Sequence, residues 1–217
     1  GDDISFIASG PTVKDITTIV DADAVLKKYS IKSISAEVFI ETPKEDMYFE
    51  NAKNFLLVSN EVALRAMAEK ATGEGYNVHL TDSNLVGEAK DVGKKIVEDL
   101  HFAPSKSVFL YGGETTVTME KIHGEGGRSQ ELVLSVLKDI KEGELITSVA
   151  SDGQDDTPFA GALCDMIPVK KVEEKGLDID SFLSTHNSYA FWKEVEDYLD
   201  TGPTGSNVSD LVVALKE

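Results

Sequence analysis

The sequence predicts an α/β fold: a mixed, mainly parallel sheet flanked by helices. Three observations carry that expectation. Short apolar runs of strand length recur at residues 55–59 (FLLVS), 78–81, 108–111 and 145–150. Between them lie amphipathic segments, the best being 85–100, where Leu85, Ala89, Val92, Ile96 and Leu100 recur at three- and four-residue steps. Several of the runs end in polar, glycine-bearing turns. Strands alternating with helices in this way favour parallel pairing.

Taken in order, residues 4–8 read as a buried strand ending in an SGPT turn. Asp21 is placed to cap a helix over 22–29, and Ser33 or Ser35 a second short helix ending at Ile40. The polar stretch 41–52, ETPKEDMYFENA, reads as a linker. Helices are expected over 60–72, with Val62, Ala63, Ala66, Met67 and Ala71 on one side, and over 129–141, with Leu132, Val133, Val136, Leu137 and Ile140 facing inward. Residues 115–119 are expected to pair beside the 108–111 strand. Short helices should follow near 160–164, 169–175, 179–183 and 189–198, and a last strand over 208–214. The expected division is 1–50, the end of an N-terminal α/β domain, and 51–217, a C-terminal α/β domain. The opening GDDISFIASGPT reads as a start in mid-domain.

The 217 residues carry 39 acidic and 21 basic side chains, a formal net charge of -18. Nucleic-acid binding needs a basic footprint and is not expected. No apolar run approaches the length of a membrane span. Cys164 stands alone, so no intrachain disulfide forms, which fits a reducing, cytoplasmic setting; it reads as a buried structural thiol. An anionic ligand would have to gather the scarce cations, and only Arg65 and Arg128 are arginines.

Ligands of open α/β sheets collect at strand carboxyl ends. Here those ends read SGPT, with Ser9, Gly10 and Thr12; SNE at 59–61; GGETT, with Gly112, Gly113, Glu114, Thr115 and Thr116; and SDGQDD, with Asp152, Asp155 and Asp156. Any one could be an ordinary turn. GGETT could cradle phosphate or carboxylate oxygens on its amides, or simply turn a hairpin. In GEGGRSQE, Gly126 and Gly127 precede a helix whose N-terminus attracts anions, and Arg128 adds a two-pronged donor. Lys121 and His123 lie just upstream. The alternative is an Arg128 paired with an acidic neighbour. Asp152 and Asp155 are the candidate ligands for Mg2+, which commonly bridges carboxylate and phosphate. There is no GxxxxGK[ST], and GEGGRS misses GxGxxG at Ser129, so neither a P-loop nor a dinucleotide fold is supported.

Together GDDISFIASGPT, the ETP linker, LVSNEVAL, GEA, GGETTVT, GGRSQE, SDGQD, NSY and TGPTGSNVSDL resemble, in order, glycerate 2-kinases of the MOFRL family. The resemblance implies transfer of phosphate from ATP, with Mg2+, to the 2-hydroxyl of D-glycerate, in a cleft between two α/β domains. It implies that this chain is the C-terminal half of the enzyme, that its partner is an N-terminal domain bearing a functional lysine, and that the half alone has little or no activity. It places Arg128 at the active site and Gln130 and Glu131 beside it. Glu114, Glu131 and Asp152 stay open as the base. The chain departs from the family at Ser129, usually Asn, and at Pro158, usually Asp. Two rival readings are an NAD(P)H-dependent hydroxypyruvate reductase and an inert anion-binding module. The oligomeric state is open, a homodimer being one alternative.

Overall fold

The structure, a computed structural model, describes residues 3–119 and 123–217. The chain forms two compact units, a small one ending at Leu57 and a large one, Val58–Glu217.

The small unit contains one α-helix, α1 (Ile19–Lys28), and three 3-10 turns, Ile7–Ser9, Ala36–Val38 and Asp46–Tyr48. Thr18 and Asp21 close a capping box at the start of α1, so Asp21 lies in the first turn and not at the cap position expected for it. Ser35 caps Ala36–Val38 through the Glu37 amide. The strand expected at 4–8 is not formed. Its apolar side chains find no partner surface, Phe6 being 82% exposed, and the chain coils at Ile7–Ser9 instead.

The large unit is built on a six-stranded mixed sheet in the order β1-β2-β6-β3-β4-β5. The strands are β1 (Asn77–Leu85), β2 (Ser107–Gly113), β3 (Glu144–Ala150), β4 (Gly161–Cys164), β5 (Tyr198–Leu199) and β6 (Asp210–Lys216). Helices are α2 (Asn60–Gly73), α3 (Ala89–Phe102), α4 (Arg128–Ser135), α5 (Met166–Lys175), α6 (Ile179–Ser184) and α7 (Ser188–Val195). The mixed sheet flanked by helices is as expected. The balance of its pairing is reversed: β1–β2 is parallel, and every other neighbouring pair is antiparallel. The last strand inserts between β2 and β3 and runs against both, which a short apolar run cannot announce.

Alternation along the strands divides the core. Val108 and Leu110 of β2 meet Leu64 of α2 on one face, with Val213 and Leu215 of β6 packed against them. Tyr111, Val212, Ala214 and Ile146 meet α3, α4 and α7 on the other. The helix expected at 160–164 is not formed; Gly161–Cys164 make strand β4, in which Ile146 to Val149 pair with Cys164 to Gly161 and bury Cys164. Residues 55–59 form no strand, and 115–119 contribute one bridge, Thr116 to Glu88.

Candidate functional site

The register places the site. Asp210, the first residue of β6, pairs with Gly113 at the end of β2 and with Ala150 at the end of β3. The turns GGETT and SDGQDD therefore leave the sheet on either side of Asp210. Asn60, at the start of α2, lies on Gly112, where an added Cβ would fall 1.7 Å from its Oδ1. Its amide donates to the carbonyls of Val208 (2.7 Å) and Asp210 (3.2 Å), fixing the entry to β6.

Arg128 is the first residue of α4 and reaches across to this point. Its Nε donates to Asp210 Oδ2 at 2.5 Å and its Nη2 to Oδ1 at 3.2 Å, a two-pronged pair. Nη2 also lies 3.4 Å from Glu114. The hydrogen bond to Asp210 holds the guanidinium firmly protonated. Asp210 is buried, while the Arg128 side chain is one-third exposed and Glu114 about half exposed. One face of the arginine is thus tethered and another is exposed.

The N-terminus of α4 already holds an anion, and it belongs to the chain. Both carboxylate oxygens of Asp155 accept from it: Ser129 N to Oδ1 (3.1 Å), Gln130 N to Oδ2 (2.8 Å). The Gln130 amide adds a third bond to Oδ2, at 3.1 Å. A Cβ at Gly127 would fall 2.2 Å from Asp155 Cγ, so this approach requires glycine. Burial pushes the Asp155 carboxyl up to about 6, against the pull of those amides. Asp152 accepts from the Gln154 amide and from Asn207 Nδ2 (2.9 Å). Among the described residues no group of three or more His, Cys, Asp or Glu could hold a metal ion.

The threonines of GGETT are committed within the fold. Thr115 is buried, and Thr116 and Thr118 both donate to Glu88, the residue before α3. Gly113 sits at φ 148 with its α-carbon against Leu85, and the Glu114 amide donates to the Leu85 carbonyl at 2.9 Å. Ser9, Gly10 and Thr12 belong to the small unit: Ser9 ends the Ile7–Ser9 turn, Gly10 closes it on Ile7 O, and Thr12 bonds Asn54. Gln130 and Glu131 are buried, Gln130 toward Asp155 and Glu131 against His186. His123 turns to the Gly124 carbonyl, and Lys121 lies outside the described residues.

Of the expected residues, then, the structure gathers Gly113, Glu114, Gly127, Arg128, Gln130 and Asp155 around one strand end. Asp210 and His186 are additions that sequence reasoning missed, and Asn60 stood in the SNE end at 59–61 with no role assigned to it. Asp210 stands in the motif TGPTGSNVSDL, but its partner Arg128 is 82 residues away, and no local spacing joins them.

Comparison with known proteins finds a family match over part of the chain and relatives along all of it. Residues 107–210 match the MOFRL family, and residues 1–40 match a domain of unknown function, DUF4147. The chain is 40% identical to a glycerate 2-kinase of Pyrococcus horikoshii, over 99% of this chain and 53% of that protein. It is 34% identical to a D-glycerate 2-kinase of Thermotoga maritima, over 99% of this chain and 54% of that one. A putative hydroxypyruvate reductase of Agrobacterium vitis is 34% identical over 97% of this chain and 51% of its own length. The crystal structure of the Thermotoga maritima glycerate kinase superposes with a TM-score of 0.83 at 33% identity, covering 100% of this chain and 55% of that one. The chain spans about half the length of the curated relatives it matches. On these matches, residues 107–210 carry the MOFRL signature, and the chain is similar along its length to part of proteins named glycerate 2-kinase.

Proposed function

We propose that this chain is the C-terminal part of an ATP-dependent glycerate 2-kinase and supplies one wall of its phosphoryl-transfer cleft. The observation that carries the reading is Arg128: tethered by Asp210 where β2, β6 and β3 meet, yet open on its outer face beside Glu114. The names of the relatives supply the substrate, D-glycerate.

Phosphoryl transfer asks mainly for positioning and for neutralisation of charge on the transferred group. Arg128 offers the open edge of its guanidinium to the phosphoryl oxygens, and Asp210 fixes its plane in advance so that no reorganisation is needed during transfer. Glu114 is the acceptor nearest the open edge and is assigned to orient the attacking hydroxyl. Glu131 is buried against His186, and Asp152 is tied to Asn207, so neither competes for that role. The Asp155 carboxylate is spent on the α4 amides. Mg2+ is therefore assigned to the nucleotide phosphates and not to a cage of Asp152 and Asp155. The remaining half of the cleft is assigned to the rest of a protein of the relatives' length.

The test is a coupled assay of the full-length protein with D-glycerate, ATP and Mg2+, reading both phosphoglycerate isomers, beside the 217-residue chain alone. The expected product is 2-phosphoglycerate, from the full-length protein only. Arg128→Ala should lower its turnover at least tenfold with the fold intact. Turnover by the short chain, or an unchanged rate in the variant, would refute the assignment. Oxidation of NADH by hydroxypyruvate in place of phosphorylation would favour the reductase reading.

A further inference from the structure

A second contact zone flanks Arg128 along the chain, on the residues just before it and in the first turn of α4. The turn between α6 and α7 forms a mould for the residues that lead into Arg128. The Gly124 amide donates to the Thr185 carbonyl (2.7 Å), the Glu125 amide to Asn187 Oδ1 (3.3 Å), and the Tyr189 amide to the Glu125 carbonyl (3.0 Å). Gly126 lies so close to the turn that a Cβ would fall 2.0 Å from Ser188 Oγ.

The same turn is fastened to the first turn of α4 by a buried pair. His186 Nδ1 lies 3.1 and 3.0 Å from the two carboxylate oxygens of Glu131. Both residues are buried. From α7, the Trp192 indole donates to the Gln130 carbonyl at 2.9 Å. Arg128 thus sits between two anchors: Asp210 at its guanidinium, and the α6–α7 turn on the residues that flank it in the chain. His186 holds a left-handed backbone, φ 47, which a non-glycine residue adopts at a cost, so the bend that presents its ring is imposed by the surrounding fold.

We propose that His186 and Glu131 are positioning residues for Arg128: the pair locks the α6–α7 turn to α4 and so fixes the guanidinium at the end of β6. Any catalytic consequence rests on the kinase reading above; the positioning itself does not. An arginine displaced by about an ångström would lose much of its effect on a transferring group.

The chain offers a direct readout, because its only arginines are Arg65 and Arg128. With 15N-labelled arginine, the Nε–H spectrum of the 217-residue chain holds two side-chain signals, and Arg65→Lys identifies which is which. In His186→Ala the Arg128 signal should move and its Nε–H exchange with solvent should rise at least tenfold, while the Arg65 signal stays in place. His186→Asn keeps a side-chain N–H donor and suits a left-handed backbone, so it should restore the Arg128 signal. Glu131→Met fills the same space without an acceptor and repeats the test should His186→Ala not fold. In the full-length protein, His186→Ala should lower kcat at least tenfold with KM for ATP changed less than threefold, and His186→Asn should recover kcat to within about threefold. An Arg128 signal unchanged in both His186→Ala and Glu131→Met overturns the positioning role. Absence of glycerate phosphorylation by the unaltered full-length protein overturns the kinase reading instead, and leaves the spectroscopic result to decide this one.

Discussion

Asp155 shows how one side chain can fill a place that looks made for a ligand. The N-terminus of α4 carries amides with no acceptor within the helix and a favourable dipole, and glycine at 127 lets an anion come close. The chain supplies that anion itself. The carboxylate is buried, and burial outweighs its hydrogen bonds, so its pKa rises from 3.8 to about 6. A folded-state value above the unfolded one contributes stability that is fully present below pH 3.8 and is lost as the pH rises through about 6. The change is on the order of 3 kcal/mol. Burial pushes Asp210 up as well, with the same sign, so the comparison must be between variants. Asp155→Asn should flatten the fall in stability between about pH 4 and pH 7. Chemical denaturation of both proteins across that range measures it, and parallel curves would show that Asp155 titrates normally.

At the scale of elements, the periodic segments were legible and the directions were not. The inward residues expected of α4, Leu132, Val133, Val136, Leu137 and Ile140, are all buried, although the α-helix ends at Ser135 and the chain continues in turns. The start of α3 falls later than its apolar spacing suggests, because Leu85 belongs to β1. Residues 161–164 (GALC) are too few to show a period, and their pairing with β3 decides their conformation. At the site, the glycine turns and Arg128 stood out in the sequence. Asp210 and His186 did not, since each acts through a partner 82 or 55 residues distant. The α3–α4 contact gives a prediction that propensity alone would get wrong. Gly93 lies inside α3, where alanine is ordinarily better by about 1 kcal/mol. A Cβ there would fall 2.3 Å from Ser135 Oγ and 2.7 Å from the Leu132 carbonyl oxygen. Overpacking against backbone costs roughly 1–3 kcal/mol. Gly93→Ala should therefore lower stability, by about 1 kcal/mol net. A rise in its denaturation midpoint would mean that the two helices are further apart than described.

The whole molecule is uneven in its stability. Every fully buried side chain among the described residues lies at Ser59 or beyond. Before that point large apolar side chains face solvent, among them Phe6 at 82%, Ile16 at 90%, Ile40 at 92% and Phe55 at 79%. A unit without a core has little to oppose local opening, and proteolysis follows the population of open forms. Brief trypsin treatment of the 217-residue chain should cut first at lysines such as Lys27, Lys44 and Lys53. The product should retain residues 58–217 at least ten times longer than the small unit survives. If the full-length protein has the length of its relatives and covers those apolar side chains, the same bonds in it should resist cleavage under identical conditions. Mass spectrometry of timed digests decides both points: equal loss of the two units in the short chain would contradict the uneven core, and equal cleavage in the long protein would leave those side chains uncovered there as well.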